Sequence, residues 1–481
     1  MKRILVFCFL ILISCKQHLQ VEVIDTKASD GQVLALETGK STIPYFVINT
    51  QGNEILYGTK SNATLKVYQQ KNLLQKQNIT LKFRGKTSFR LSDKKSYNVG
   101  TVDEAGKGFD VSMLGLPAEQ DWRLIGHVVN LIDKYIWDKT LMYNYIGYEL
   151  SRKMGKYASR GQLVEVEING SYQGVYLFCE KLNRSTNRIN IKSMNSSATN
   201  ITGGYILKID KVDSAPENDL KPNSYFLSNW ADDATYNEYN SFRSNYDINK
   251  NLLTFPPFLP AFHPNKYLET YFTYEYPSAE KITPAQKVYI SKYLDQFEMA
   301  LITDDFSKTT RTYTNFIDID SFVDYFIITE LCRNVDAYRL STYVTKDADG
   351  KLVMGPTWDL NIGFDEGGRV PINEWVANYN NFVSSDAWMA PFWWTRLLED
   401  PIFKQKVKAR WQGLRSAEFS TAAMTQLVEN TAQSLITNGA VARNYAIWDK
   451  EKVVNYTKSV EALKLFLENR SGWMDQKING W

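Results

Sequence analysis

The stretch that most constrains this chain runs from Asn334 to Gly368 and reads NVDAYRLSTYVTKDADGKLVMGPTWDLNIGFDEGG. It holds two aspartates, Asp336 and Asp359, 23 positions apart. Asp336 follows an apolar, helix-like run over 322–331, and Asp359 follows a strand-like segment through Gly355-Pro356-Thr357-Trp358. Between them, 343–345 and 352–354 flank Asp347-Ala348-Asp349-Gly350, a pattern that predicts a β-hairpin with an Asp-Gly turn. A hairpin returns its ends to one place, so both carboxylates are expected at one edge of one site.

At 481 residues the chain exceeds one ordinary core, and two lobes are expected. Segments 21–23, 63–68, 79–84 and 96–99 alternate polar and apolar residues and predict antiparallel strands. A helical pattern spans about 133–154, with Gly155 as its stop. Strands at 163–168 and 172–178 flank Asn169-Gly170, the strongest short-range hairpin signal, and 203–209 reads as another strand. Segment 211–282 is rich in proline and irregular, an insertion or inter-lobe excursion. From Thr283-Pro284 onward helices dominate: 284–301 with Thr as cap and Pro in the first turn, then 320–333, 400–416, 420–437 and 450–470. The chain divides as 1–14 signal peptide, 15–79 anchor and first β segment, 80–210 β-rich lobe, 211–282 insertion and 283–481 helical lobe. The fold class expected is α+β with two lobes, β-rich then α-rich.

Lys2-Arg3 and the apolar run 4–13, too short to span a bilayer, mark a targeting segment. It ends Leu12-Ile13-Ser14-Cys15, which resembles a bacterial lipobox. Cys15 is then the lipidated residue, and the expected location is the cell envelope, at the outer membrane, with the leaflet open and the membrane reached through the lipid. Formal charge is +3, and +1 without Lys2 and Arg3, so no basic footprint for nucleic acid is expected. Cys179 and Cys332 each sit in an apolar run and read as buried thiols rather than a disulfide. Three isolated histidines support neither a zinc site nor a Ser-His-Asp triad.

Protein kinases likewise separate a catalytic-loop aspartate from a metal-binding aspartate by a short hairpin. Phosphoryl transfer needs cations for phosphates, a divalent metal and a carboxylate that orients the acceptor hydroxyl. Asp359 suits the metal role, and Asn361 faces the same way if that segment is extended; both supply the oxygen ligands magnesium takes. Asp336 suits the orienting base. For the phosphate cation the sequence offers Phe83-Arg84-Gly85-Lys86 followed by Lys94-Lys95, whose two lysines point to opposite faces. Neither a GxGxxG loop nor a P-loop is present.

FRGKTSFRLSDKKSYNV, GLPAEQDWRLIGHVVNLIDKYIWDKTLMYNYIGYELSRKMG, VEVEINGSYQGVYLFCEKLN, GGYILKID and NVDAYRLSTYVTKDADGKLVMGPTWDLNIGF occur in that order over about 80–375. Together, and with the late ENRSGWM (468–474), they resemble the spore-coat CotH kinase-like family, here as a bacterial lipoprotein of Bacteroidetes type. The resemblance implies a remote protein-kinase-like fold and an atypical protein kinase activity dependent on ATP and Mg. Carried over by position, Asp336 matches the catalytic aspartate and Asp359 the metal aspartate, with Asn361 beside it. Lys95 is the expected nucleotide lysine and Glu149 its partner. Many relatives carry a second Asp where this chain has Asn361, and Asn where it has Ser341. Two readings follow: a kinase acting on Ser/Thr of an envelope protein, or a catalytically weak kinase-like scaffold or adhesin that binds protein or glycan. The tryptophans 375, 388, 393 and 394 offer a surface for the second if they are exposed, although buried helix packing is the favoured account of them.

Overall fold

The structure, a computed structural model, describes residues 43–481 except 71, 195–196, 198, 213–234, 261–262, 365–367, 385 and 438. The signal peptide and Cys15 lie outside the described residues. No helix among those described is long and apolar enough to cross a membrane.

The first lobe is a closed seven-stranded barrel. Its strands are β1 (Tyr45–Asn49), β2 (Ser61–Gln69), β3 (Asn72–Arg84), β4 (Ser96–Val102), β5 (Asp121–Gly126), β8 (Gly161–Ile168) and β9 (Ser171–Glu180), in the order β1-β2-β3-β4-β5-β9-β8. All pairs are antiparallel except β1 with β8, which closes the barrel. The period-2 pattern explains the closure: Leu65, Leu81, Val99, Trp122, Val164 and Phe178 point inward and are buried together, while their neighbours face out. Asn169 and Gly170 both take positive φ, 50° and 80°, giving the tight β8–β9 turn that Asn-Gly favours.

A two-stranded ribbon, β6 (Val129–Asn130) and β7 (Tyr135–Ile136), leads to helix α1 (Tyr143–Lys153). The helix expected from 133 therefore begins ten residues later. Asp138 stops it from extending back, because its carboxylate accepts from Thr140 N and Tyr143 N, each at 2.8 Å, and fixes a turn there.

A second sheet, β11-β12-β10-β13-β14, joins the lobes. It contains β10 (Tyr205–Ile209), β11 (Ser241–Arg243), β12 (Tyr271–Tyr276), β13 (Thr342–Lys346) and β14 (Leu352–Met354). Segment 211–282, irregular by sequence, thus supplies two strands of this sheet. The β13–β14 pair is the expected hairpin, with Asp349 at φ 56° in its turn.

Helices make up the remainder: α2 (Pro284–Thr303), α3 (Ile319–Cys332), α4 (Pro401–Arg415), α5 (Thr421–Thr437), α6 (Ala440–Trp448) and α7 (Tyr456–Asn479). Thr283 and Gln286 form a reciprocal capping box at the start of α2. Helix α3 is buried on nearly every face, from Ser321 through Cys332, which is why its sequence is apolar all round. Trp375, Trp388, Trp393 and Trp394 are all buried, so they form core and not a binding surface. Cys179 and Cys332 are buried free thiols.

Candidate active site

Helix α3 ends at Arg333, whose left-handed φ of 46° turns the chain sharply into Asn334 and Asp336. The β13–β14 hairpin then returns the chain to Asp359, also left-handed at φ 56°. Asn334 ties the two loops together: its Nδ2 donates to the carbonyl of Asp359 at 2.9 Å, while its Oδ1 accepts from Asp336 N at 3.3 Å. Asp336, Asp359 and Asn361 consequently line one cleft of about 670 Å³ between the barrel and the second sheet. The hairpin brings both aspartates to one site, as the sequence implied.

Helix α1 supports the Asp359 loop from behind. Leu360 N donates to Asn144 Oδ1 at 2.7 Å, and Asp359 N donates to the Tyr148 hydroxyl at 3.4 Å. Trp358 stacks on Tyr148, ring centroids 5.5 Å apart. Leu360 packs so closely on Gly147 that a Cβ there would lie 2.5 Å from a leucine methyl. Asn144, Gly147 and Tyr148 share one helical face at i, i+3 and i+4.

Two expected residues are elsewhere. Glu149 lies one step round α1 from Tyr148, turns away from the cleft and pairs with Arg152. Lys95 precedes β4 and folds back over the helical turn Thr87–Leu91, where its Nζ donates to the carbonyls of Phe89 and Ser92, each at 2.7 Å. Its neighbour Lys94 points the other way, fully buried, donating to Val175 O at 2.6 Å and Asn444 Oδ1 at 2.8 Å. Lys94 and Lys95 do take opposite faces, but neither enters the cleft, because other oxygens, backbone carbonyls and for Lys94 also the Asn444 amide, already accept from the ammonium.

Three other residues enter instead. Asp210 follows β10, and the Ser341 hydroxyl lies 3.3 Å from its Oδ2 and 3.5 Å from Asp359 Oδ2, so one proton is shared between two carboxylates. Arg84 sits over the Trp358 ring at 5.9 Å and attracts the Asp359 carboxylate. Arg123 projects from β5 beside it. Asp210 ends the GGYILKID segment and Arg84 opens the Arg-Gly motif, so both stood in informative stretches. Their convergence depends on sheet pairing that sequence does not display.

Desolvation pushes the Asp359 carboxyl up to about 6; Arg84 opposes the shift, while Asp336 and Asp210 add to it. Asp359 has no ion-pair partner among the described residues, whereas Asp336 is held by Arg339 and, at 3.2 Å, by Arg369. A carboxylate penalised by burial and by two neighbouring anions is the electrostatic setting that a divalent cation relieves. The oxygen donors Asp359 and Asn361, with Asp210 close by, fit magnesium. Among the described residues no group of three His, Cys, Asp or Glu side chains is poised around one point. Magnesium tolerates that, since it commonly keeps waters and substrate phosphates as ligands.

Fold and site define a two-lobed α+β, protein-kinase-like molecule with paired aspartates in its interlobe cleft. Residues 81–474 match the family described as CotH kinase protein, which covers most of the sequence, and the chain belongs to that family. Among curated proteins none matches it.

Proposed function

We propose that the protein is an atypical protein kinase of the cell envelope that transfers the γ-phosphoryl of ATP, with Mg, to Ser/Thr of an envelope protein. The observation that carries this reading is the Asn334 link, which holds the Asp336 and Asp359 loops at one cleft. Asp359 and Asn361 hold the magnesium ion, which when bound neutralises phosphate charge. Asp336, oriented by Arg339 and Arg369, faces the acceptor hydroxyl and takes its proton. The acceptor oxygen bonds to the γ phosphorus as the bond to the β,γ-bridging oxygen breaks, and ADP leaves with that electron pair. The lipid on Cys15 holds the enzyme at the membrane, and Cys15→Ser releases it from the membrane fraction.

Titration of the protein with ATP and Mg²⁺ tests the reading. Binding that Asp359→Ala abolishes, and that Asp336→Ala leaves while removing turnover, supports it. Absence of ATP binding at millimolar concentration in the wild type rejects it in favour of a kinase-like scaffold.

A further inference from the structure

The cleft lacks the lysine that the sequence nominated, yet it is strongly cationic. Among the described residues eight lysines and arginines line it against four carboxylates. Their arrangement follows from strand register. In β3, Ile79 and Leu81 point into the barrel, so Lys82 and Arg84 point out of it. Lys82 lies opposite Asn98 on β4, and Asn98 lies opposite Arg123 on β5. Arg84 lies opposite Ser96, one step along the same face. Lys82, Arg84 and Arg123 therefore stand on one outward face of three adjacent strands, and this face is a wall of the cleft.

Among the described residues these cations have no ion pair, whereas many of the protein's other arginines do. Arg160, Arg311, Arg410, Arg443 and Arg470 all sit on carboxylates. Among the described residues Lys82 and Arg84 make no hydrogen bond or ion pair with their side chains. Among the described residues Arg123 donates only to the Asn98 side-chain oxygen and has no ion pair. Burial first, then the Arg84 charge, lowers the Arg123 guanidinium to about 10. Two guanidiniums held side by side without a counter-ion cost folding energy, and an anion seated between them offsets that cost.

We infer that Lys82, Arg84 and Arg123 form a polyphosphate-binding floor that seats the phosphate chain of the phosphoryl donor. Arg84 reaches the chain's end nearest Asp359, and Arg123 and Lys82 take the remainder. The inference deepens the phosphotransferase reading by naming what the missing lysine would have done. The ligand chemistry is a linear polyphosphate, carried by a nucleoside triphosphate or by an inorganic chain.

Calorimetric titration of the full chain with inorganic tripolyphosphate tests this, beside ATP, each with Mg²⁺. Arg84→Gln and Arg123→Gln should each weaken tripolyphosphate at least tenfold, and Lys82→Gln, which removes a single-point ammonium and not a bidentate guanidinium, at least threefold. Affinity should fall steeply with salt. Removing one of two repelling charges should leave the Tm of ligand-free Arg123→Gln equal to or above wild type, which a purely structural arginine would not do. ATP binding tenfold tighter than tripolyphosphate identifies a nucleotide as the source; equal affinity identifies the bare chain. Tripolyphosphate that fails to bind, or binds equally to all variants, overturns the floor even where Mg-ATP binds through Asp359. Arginine-dependent tripolyphosphate binding without any phosphoryl transfer leaves the floor standing and removes the kinase reading.

Discussion

The guanidinium of Arg470 on α7 donates to the carboxylate of Glu330 on α3 at 2.9 Å, with both side chains fully shielded from water. The same arginine donates to the carbonyls of Ile372 and Glu374. Glu330 also accepts from Val376 N, Ala377 N and the Tyr338 hydroxyl. One ion pair thus fastens the last helix, the helix that leads into Asp336 and the loop beyond Asp359. It gives the ENRSGWM segment a physical role.

Burial disfavours both charges of this pair, lowering Arg470 to about 10 and raising Glu330. Removing one partner leaves the other buried and uncompensated. Arg470→Met is therefore expected to cost about 3–5 kcal/mol, read by urea denaturation. The double variant Glu330→Met/Arg470→Met should recover part of that loss, and a double variant no more stable than the single would show that the backbone contacts dominate.

Asn334→Ala separates the two aspartate loops while leaving α3 and the hairpin in place. The hydrogen bonds lost are worth about 0.5–1.5 kcal/mol each in stability, a small change in Tm. Turnover should suffer more, about 10–100-fold, because the loss is one of mutual positioning. Asparagine acts here as a positioning residue, so KM for ATP should move less than kcat. Equal losses in both would contradict that role.

How much of this was legible in the sequence follows range of interaction. Within the described residues strand alternation, the Asn169-Gly170 turn and the Thr283 cap are local, and each appears where the pattern placed it; the strand expected at 21–23 lies outside those residues. Asp336 and Asp359 converge because a short hairpin joins them, which is nearly local too. Helix starts failed where a polar side chain took over a turn: Asp138 delays α1, and Asn455, accepting from Lys458 N, starts α7 at Tyr456. Lys95 and Glu149 failed because the direction of a long charged side chain depends on carbonyls and ion-pair partners that spacing cannot reveal. Asp210, Arg84 and Arg123 meet through a barrel face and a second sheet whose strands lie far apart in sequence. Lys95→Gln and Glu149→Gln should accordingly change ATP affinity by less than about twofold, since neither side chain reaches the cleft.

Lys94 gives a stability test with a definite sign. Burial lowers its pKa well below 10.5, only partly opposed by Asp138. The unfolded chain then binds more protons than the folded one between the lowered value and 10.5, so stability rises with pH through that window. Lys94→Met removes the buried cation and should flatten this rise. At pH 7 it should be neutral or stabilising by about 1–2 kcal/mol, as burial of an apolar isostere often is. Thermal melts across alkaline pH measure both effects, and a Met variant that keeps the wild-type slope would rule Lys94 out as its source.

Asp359 supplies the opposite sign at acid pH. Its folded value of about 6 lies above the 3.8 of the free side chain, so the folded protein binds more protons between those values. Its contribution to stability is full below 3.8, declines as pH rises towards 6 and is gone above it. That difference corresponds to about 3 kcal/mol at most, and partial exposure of the side chain to solvent reduces this to about 1–2 kcal/mol. Asp359→Asn should therefore stabilise the ligand-free protein by that amount at pH 7 and by nothing at pH 3.5. Magnesium needs the ionised form, so Mg²⁺-dependent nucleotide binding should fall about tenfold per unit once pH drops below 6. Because bound cation opposes protonation, the midpoint should move to lower pH as Mg²⁺ is raised. A midpoint that ignores the magnesium concentration would mean that the titrating group is not the one that holds the metal.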